Sequence, residues 1–299
     1  GLEHVHVPKP AYAVEYDYMP AVQLEHTLMT KKMRGLFCAG QINGTSGYEE
    51  AAAQGLLAGI NAVRFLGGQE MVTLSRDSSY IGTLVDDLVT KDIEDPYRML
   101  TSRSEYRLIL RQDNADLRLT EIGREVGLIS DARWQRFLDK KESIEKEKQR
   151  FLTQKISPDE EVNSVLAKYG ENIDRGVRLS DIIKRPNITY DVLKELDPET
   201  KRLNLSKEIA EQVEIEFKYE GYIKRQSQQV EQLSKMEKIK IPKNFDFQSL
   251  EHVSQETKDK LSKINPVTLA QAARIGGVKP ADISVLAVMI ETHRYKLKV

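Results

Sequence analysis

Apolar positions along the chain change their period near Tyr48. Before it, short β-like pieces such as AYAVEYDY (11–18) and LFCAG (36–40) alternate with prolines and polar turns. After it the spacing is helical. YEEAAAQGLLAGINAVRFL predicts a helix that starts at Tyr48 and stops at Gly67-Gly68. DARWQRFLDKKESIEKEKQRFL predicts a longer one, with Trp134, Phe137, Leu138, Ile144, Phe151 and Leu152 on one stripe. Lys141 interrupts that stripe and the pattern lapses by Pro158, which favours core packing over a long coiled coil. Short helices are expected at about 159–169, 180–184 and 189–196. A long helical pattern then runs from Ser206 to about Lys238; IEFKY (215–219) alone would pass for a strand, and length decides for helix. Thr268 and Gln271 have capping-box spacing, and Lys279-Pro280-Ala281-Asp282 marks another helix start. The chain is thus expected to begin in mixed α/β structure and to finish in a mainly α assembly, without internal repeats.

With 299 residues there is room for more than one core. A formal net charge of -1 with 30% charged residues gives no global basic field, so nucleic acid would have to meet a local patch. The single cysteine, Cys38, excludes an internal disulfide framework and a cysteine metal cluster, and fits a reducing cytoplasm. No apolar run approaches the roughly 20 residues that cross a bilayer, and GLEHVHVPKP is neither a signal nor a transit peptide. A soluble, cytoplasmic protein with no membrane contact is expected. The histidines (4, 6, 26, 252 and 293) have no metal-ligand spacing, so no metal is expected. Asp86 and Asp87 point about 100° apart on a helix, which suits capping or ion pairing better than a shared acid/base site.

Two stretches carry candidate chemistry. In LFCAGQINGTSGYEE, Gly40, Gly44 and Gly47 allow tight turns and close backbone approach, and the following helix aims its positive end at whatever sits there. Ala51, Gly55, Ala58 and Gly59 recur near helical spacing, so this helix can lie close to a sheet or a cofactor. A glycine turn in any tightly packed α/β domain is the alternative. In the second stretch Arg103, Arg107 and Arg111 are four apart, which on a helix puts them along one drifting face, with Arg98 and Arg118 flanking. Tyr97 and Tyr106 interleave with them, and Leu108, Ile109 and Leu110 would anchor the segment. Anchored cations with nearby aromatics suit phosphate contacts and base stacking in single-stranded RNA. Internal pairing with Glu105, Asp113 and Asp116 is the alternative. Lys224 and Arg225 form a second candidate patch.

Thr30 followed by Leu36-Phe37-Cys38-Ala39-Gly40-Gln41 resembles the late flavin motif of flavoproteins with two dinucleotide-binding domains, although Gln41 stands where an acidic residue is usual. GQINGTSGYEEAAAQGLLAGINA, preceded by AYAVEYDY, resembles the MnmG/GidA family, the flavin subunit of the tRNA uridine 5-carboxymethylaminomethyl modification enzyme. YIGTLVDDLVTKDIEDPYRMLTSRSEYRLILRQDNADLRLTEIG (80–123), KYEGYIKRQ (218–226) and NPVTLAQAARIGGVKPADISVL (265–286) are similar to further signatures of that family, while 155–205 carries little of it.

The resemblance implies FAD, with NADH as reductant and methylene-tetrahydrofolate as carbon donor. It implies a flavin lining of Gly40, Gln41, Asn43, Gly44, Thr45, Ser46, Gly47 and Tyr48. Glu49 or Glu50 could reach the ring, but helix capping and N-terminal charge complementarity account for both equally well and are the preferred reading. It also implies tRNA contact, at the anticodon region, by Arg98, Arg103, Arg107, Arg111, Arg118, Lys224 and Arg225. The C-terminal face of Ile283, Leu286, Ala287 and Ile290, broadened by Val285, Val288 and Met289, would be mostly core and in the family is implicated in docking a GTPase subunit. A homodimer is implied for the full-length protein. The family's N-terminal βαβ unit with its G-x-G-x-x-G loop does not occur in this sequence, so the chain reads as the C-terminal portion of a longer enzyme. Catalytic residues are accordingly expected outside it, and Cys38 is read as core.

The expected architecture is mainly α. It comprises a C-terminal segment of the FAD-binding α/β domain (1–68), a helical domain with the arginine segment (69–220) and a C-terminal helical subdomain for partner and tRNA docking (221–299). Two alternatives remain: a non-catalytic module binding tRNA and the GTPase, and the related folate-dependent flavoprotein that methylates tRNA uridine. GYIKRQ and KPADIS argue against the latter.

Overall fold

The computed structural model describes residues 3–6, 8, 9, 11, 15–91, 93, 95–242 and 244–296. Thirteen helices carry the described chain: α1 Tyr48–Leu66, α2 Tyr80–Thr90, α3 Ala115–Glu125, α4 Asp131–Thr153, α5 Glu160–Ala167, α6 Leu179–Ile182, α7 Tyr190–Leu196, α8 Pro198–Leu203, α9 Lys207–Lys218, α10 Glu220–Lys238, α11 Gln255–Ile264, α12 Leu269–Arg274 and α13 Pro280–Lys296. Among the described residues the only sheet is a two-stranded antiparallel one, β1 Lys155–Ile156 with β2 Val177–Arg178.

The early strands are not ladders. Leu24–Thr30 and Met29–Phe37 are isolated antiparallel bridges, and 15–20 forms no strand, although Met19 N–H donates to Ile42 O at 2.8 Å; positions 12–14 of AYAVEYDY lie outside the described residues. Alternation predicts the pleat of a strand, but a ladder needs successive bridges to a neighbour, and here the neighbouring segments meet only through isolated ones. Helix starts follow their caps: Ser79, Asp159, Thr189, Ser206, Ser254 and Thr268 each accept a backbone N–H from the first turn of the helix they precede. The expected helix over 206–238 is two, because the backbone breaks at Tyr219.

Three cores result. The first joins Leu24, Leu28, Leu57, Ala58, Leu84, Val85, Leu88 and Tyr97. The second gathers α4 to α9 around Phe151, whose ring stacks on Tyr190 and on Phe217, both at 5.7 Å between centroids. The third lies between the end of α10 and α13 and takes in Leu250, Leu261, Leu269, Ile283, Leu286 and Ile290. Most of the apolar face expected on α13 is therefore core, and Val288 points outward, 62% exposed. On α4 the buried stripe is Phe137, Ile144 and Phe151, while Leu138 and Leu152 are exposed. Lys140 and Glu147 occupy the remaining inner positions because each meets opposite charge or a donor: Lys140 pairs with Asp116 and Glu208, and Glu147 with Arg150 and the Tyr190 hydroxyl.

Phe151→Ala is expected to lower the unfolding free energy by about 3–5 kcal/mol in chemical denaturation, whereas Leu138→Ala on the same helix costs under about 1 kcal/mol. Equal costs would place Leu138 on the inner stripe after all.

Candidate cofactor loop and nucleic-acid interface

The glycine loop is a 3-10 turn, Gly40–Asn43, followed by a left-handed Gly44 (φ 79°) and an extended Gly47 at the N-cap of α1. Side chains cannot replace these glycines cheaply. A Cβ on Gly44 would meet the Tyr18 ring at 2.7 Å, and one on Gly47 would meet Glu50 Oε2 at 1.6 Å. What holds the turn is Gln54, a residue the sequence reading overlooked. Its Oε1 accepts from Gly40 N–H (3.2 Å) and Asn43 Nδ2 (2.8 Å), and its Nε2 donates to Thr45 Oγ1 and Glu50 O, both at 2.9 Å. The inner face of α1 is thus Glu50, Gln54, Leu57, Ala58 and Asn61, more polar than the alanine-glycine face expected. Gly55 and Gly59 face open space instead.

This arrangement divides the predicted flavin-lining residues. Asn43 and Thr45 are buried and their side chains bond within the loop, Asn43 Nδ2 also to Cys38 O at 2.9 Å and Thr45 Oγ1 to Gly40 O at 2.9 Å. Gln41, Ser46 and Tyr48 project outward, Tyr48 being 95% exposed. The α1 N-cap receives no side-chain hydrogen bond, so the first-turn N–H groups are offered alongside these outward side chains. Glu50 Oε1 accepts from Met99 N–H at 2.7 Å, while Oε2, pressed against Gly47, is buried with no donor. First-turn N–H groups without a side-chain cap and the outward polar side chains of Gln41, Ser46 and Tyr48 fit one wall of a site for a flat, phosphorylated cofactor, while the space at Gly44 and Gly47 is filled by Tyr18 and Glu50.

The same loop is bonded to the arginine segment. Tyr97 N–H donates to Gly44 O (2.8 Å) and Arg98 Nη1 to Ser46 O (3.3 Å), beside the Glu50–Met99 bond. Beyond it, 101–103 is a short 3-10 turn and 104–114 is irregular, so Arg103, Arg107 and Arg111 do not share a helical face. Tyr106 and Leu110 anchor that loop instead of Leu108 and Ile109, because the turn bonds Ile109 and Leu110 N–H to Tyr106 O. Tyr97 and Tyr106 are both buried and unavailable for stacking. Burial, and then Asp87 beside it, raises the Tyr97 hydroxyl pKa; burial likewise pushes Tyr106 up to about 12.

The basic residues sort by what they touch. Arg111 binds Asp113 and Leu108 O, and Arg118 binds Asn114, Arg111 O and Ser78 O; both serve the fold. Arg103 covers the Tyr97 ring at 4.4 Å. Arg98 is exposed beside the glycine loop, its Nε 3.9 Å from Glu50 Oε1. Arg107 and Lys224 are exposed and take no ion pair among the described residues. Gln226 of α10 joins the two patches: its Oε1 accepts from Ile109 N–H (3.1 Å) and its Nε2 donates to Glu105 O (2.9 Å), bracketing Arg107 next to the helical turn of Lys224 and Arg225.

Beneath this surface lies Arg76, which no motif flagged. Its Nη1 lies 2.6 Å from Asp87 and 3.2 Å from Asp86, and its Nη2 lies 2.9 Å from Glu105 and 3.1 Å from Arg103 O. The two aspartates do ion-pair, and they share one guanidinium. Lys91 adds to Asp87 at 2.7 Å. Burial opposes the charge of Arg76, but Asp87, Glu105 and Asp86 outweigh it and raise its pKa. Asp86 also receives His26 Nε2 (3.1 Å) and Arg274 Nη2 (2.9 Å), and Arg274 Nη1 reaches Glu237 at 2.6 Å. Burial would raise the Asp86 pKa; the His26 hydrogen bond with Arg274 and Arg76 brings it down to about 2. Among the described residues no group of three or more histidine, cysteine or carboxylate side chains is placed to hold a metal ion. No described helix is long and apolar enough to cross a membrane.

A glycine turn opening a helix, bonded to a cationic loop and followed by successive helical bundles, defines a mainly α-helical protein that carries a candidate cofactor loop at its start. By sequence the chain belongs to the MnmG/GidA family of tRNA modifying enzymes: 1–70 match glucose inhibited division protein A, 131–227 the MnmG/GidA C-terminal helical domain and 229–298 its C-terminal helical bundle. It is 56% identical over 292 residues to the tRNA uridine 5-carboxymethylaminomethyl modification enzyme MnmG of Caldicellulosiruptor saccharolyticus, covering 97% of this chain and 46% of that relative. To the MnmG of Ligilactobacillus salivarius it is 53% identical over 293 residues, with 97% and 46% covered. The form II crystal structure of Aquifex aeolicus GidA superposes with a TM-score of 0.78 at 42% identity, covering 97% of this chain and 46% of that one. The chain spans about half the length of the curated relatives it matches.

Because the native pKa of Asp86 lies below its ordinary value of 3.8, its contribution to stability is present above that value and is lost as pH falls toward 2. Wild type should lose about 2 kcal/mol more than Asp86→Asn between pH 5 and pH 2 in denaturant titrations. Parallel curves would remove Asp86 as the acid-sensitive link.

Proposed function

We propose that this chain is part of an FAD-dependent enzyme that, together with a GTPase subunit, installs the carboxymethylaminomethyl-type group at C5 of the wobble uridine of tRNAs. The observation that carries this reading is the junction of the cofactor loop, through Gly44, Ser46 and Glu50, with the segment that leads into the cationic loop. Relatives over the whole of the chain bear the name of that enzyme. In this reading Gln41, Ser46 and Tyr48 face the flavin with their outward side chains beside the first-turn N–H groups of α1, and Gly40, Asn43, Gly44, Thr45 and Gly47 shape the turn from behind, the Gly40 and Gly44 N–H groups being taken by Gln54 Oε1 and Gln41 O. Bound flavin would supply reducing equivalents drawn from NADH, with methylene-tetrahydrofolate giving the carbon.

On the RNA side Arg107, Lys224 and Arg225 meet phosphates of the anticodon stem-loop, with Arg98 and Arg103 nearer the cofactor loop. Arg111 and Arg118 act by holding the loop. Residues 1–68 serve as the C-terminal segment of the FAD-binding domain, 69–220 as the helical domain that carries the arginine loop, and 221–299 as the unit that docks the GTPase.

A labelled anticodon stem-loop titrated over a range of salt should bind more weakly as salt rises, and Arg107→Ala should reduce the slope of log K against log[salt] by about 1. Arg118→Ala should lower thermal stability first. An unchanged slope in Arg107→Ala would take that residue out of the interface.

A further inference from the structure

The break between α9 and α10 places two tyrosines on the outside of the same face. Tyr219 caps both helices and is 46% exposed; Tyr222, one turn on, is 56% exposed. Their rings are tilted by 52° at 6.5 Å, so neither covers the face of the other, and the Arg225 guanidinium lies 5.0 Å from the Tyr222 centroid. Arg225 Nε is satisfied by Gly221 O at 3.2 Å, which holds the guanidinium over the ring. The carboxylates that might neutralise this corner are engaged elsewhere: Glu220 pairs with Lys184 at 2.7 Å and Glu105 with Arg76. Positive charge is therefore left standing around two accessible aromatic rings. The platform is also fixed in place, since Gln226, one turn after Tyr222, is bonded at both ends to the arginine loop.

We propose that Tyr222, with Tyr219 and the Arg225 guanidinium, is a stacking platform for an unpaired nucleobase of the RNA whose phosphates meet Arg107 and Lys224. Aromatic rings and guanidinium planes take up bases that single-stranded loops splay outward, and each such stack contributes through area and π contact with little dependence on salt. A folded protein partner would also use tyrosine and arginine, but three cations that take no ion pair among the described residues favour a polyanion. The platform rests on the RNA-binding reading above and assigns within it the aromatic role that the buried Tyr97 and Tyr106 cannot fill.

The test uses this chain and an anticodon stem-loop RNA carrying 2-aminopurine at successive loop positions, whose fluorescence falls on stacking. Wild type should quench one loop position. Tyr222→Leu should bind about tenfold more weakly, lose that quenching and keep the wild-type salt slope, while Tyr222→Phe keeps both affinity and quenching. Circular dichroism establishes that each variant is folded. RNA binding with the quenching and affinity of Tyr222→Leu equal to wild type overturns the platform and leaves the RNA-binding reading standing. Absence of salt-sensitive RNA binding by wild type overturns both. Loss of binding to the purified GTPase subunit in Tyr222→Leu, with RNA binding unchanged, overturns the platform in favour of a protein contact.

Discussion

One buried guanidinium organises this molecule. Arg76 is enclosed by Asp86, Asp87 and Glu105, and through Asp86 the network continues to His26, Arg274 and Glu237. These groups come from six parts of the chain: the segment before α2, α2 itself with both aspartates, the arginine loop, the N-terminal turns, α12 and α10. A charge sequestered in this way is tolerated only when its partners are complete, and removing one partner leaves the others uncompensated at a cost of about 3–5 kcal/mol. The network thereby fixes how the C-terminal bundle sits on the first core. It also fixes where the arginine loop lies, since Glu105 and Arg103 O both bind Arg76.

From that placement the surface follows. Glu105 faces inward to Arg76 while its carbonyl takes Gln226, so the loop is clamped from beneath and from the side, and Arg107 between the clamps is left outward. On its other side the same stretch of chain is bonded to the glycine loop through Tyr97, Arg98 and Met99. The glycine loop and the cationic face thus belong to one continuous frame. Under the function proposed above this arrangement would matter, because a base brought to a cofactor must be held at a fixed distance from the phosphates that the protein grips.

How much of this was legible in the sequence depends on the range of the interaction. Helix starts were readable because caps are local: Ser206, Thr268 and Pro280 each act within one turn. The break at Tyr219 was not, since IEFKYEGY carries no glycine or proline at the break itself and the periodicity runs through it. Early strands were overread because alternation gives the pleat and says nothing of a neighbour. The glycine loop was visible from Gly40, Gly44 and Gly47, yet Gln54 was hidden on a helix that looked apolar, since a buried glutamine serving a backbone turn has no periodic signature. Arginine spacing suggested a helix and a common face, whereas Tyr106 and Leu110 were the residues the core took. Arg76 stood alone in a polar stretch, and only the fold gathers its carboxylates. A lone arginine followed ten and eleven residues later by two aspartates on one helix is the faint signal that was present.

The most direct test of this frame is hydrogen exchange on the chain with and without an anticodon stem-loop. Protection gained together at 103–109 and 219–226, with α5 to α8 unchanged, is the result expected if the arginine loop and the start of α10 form one RNA face. Protection confined to either segment alone, or appearing instead on α13, would contradict it.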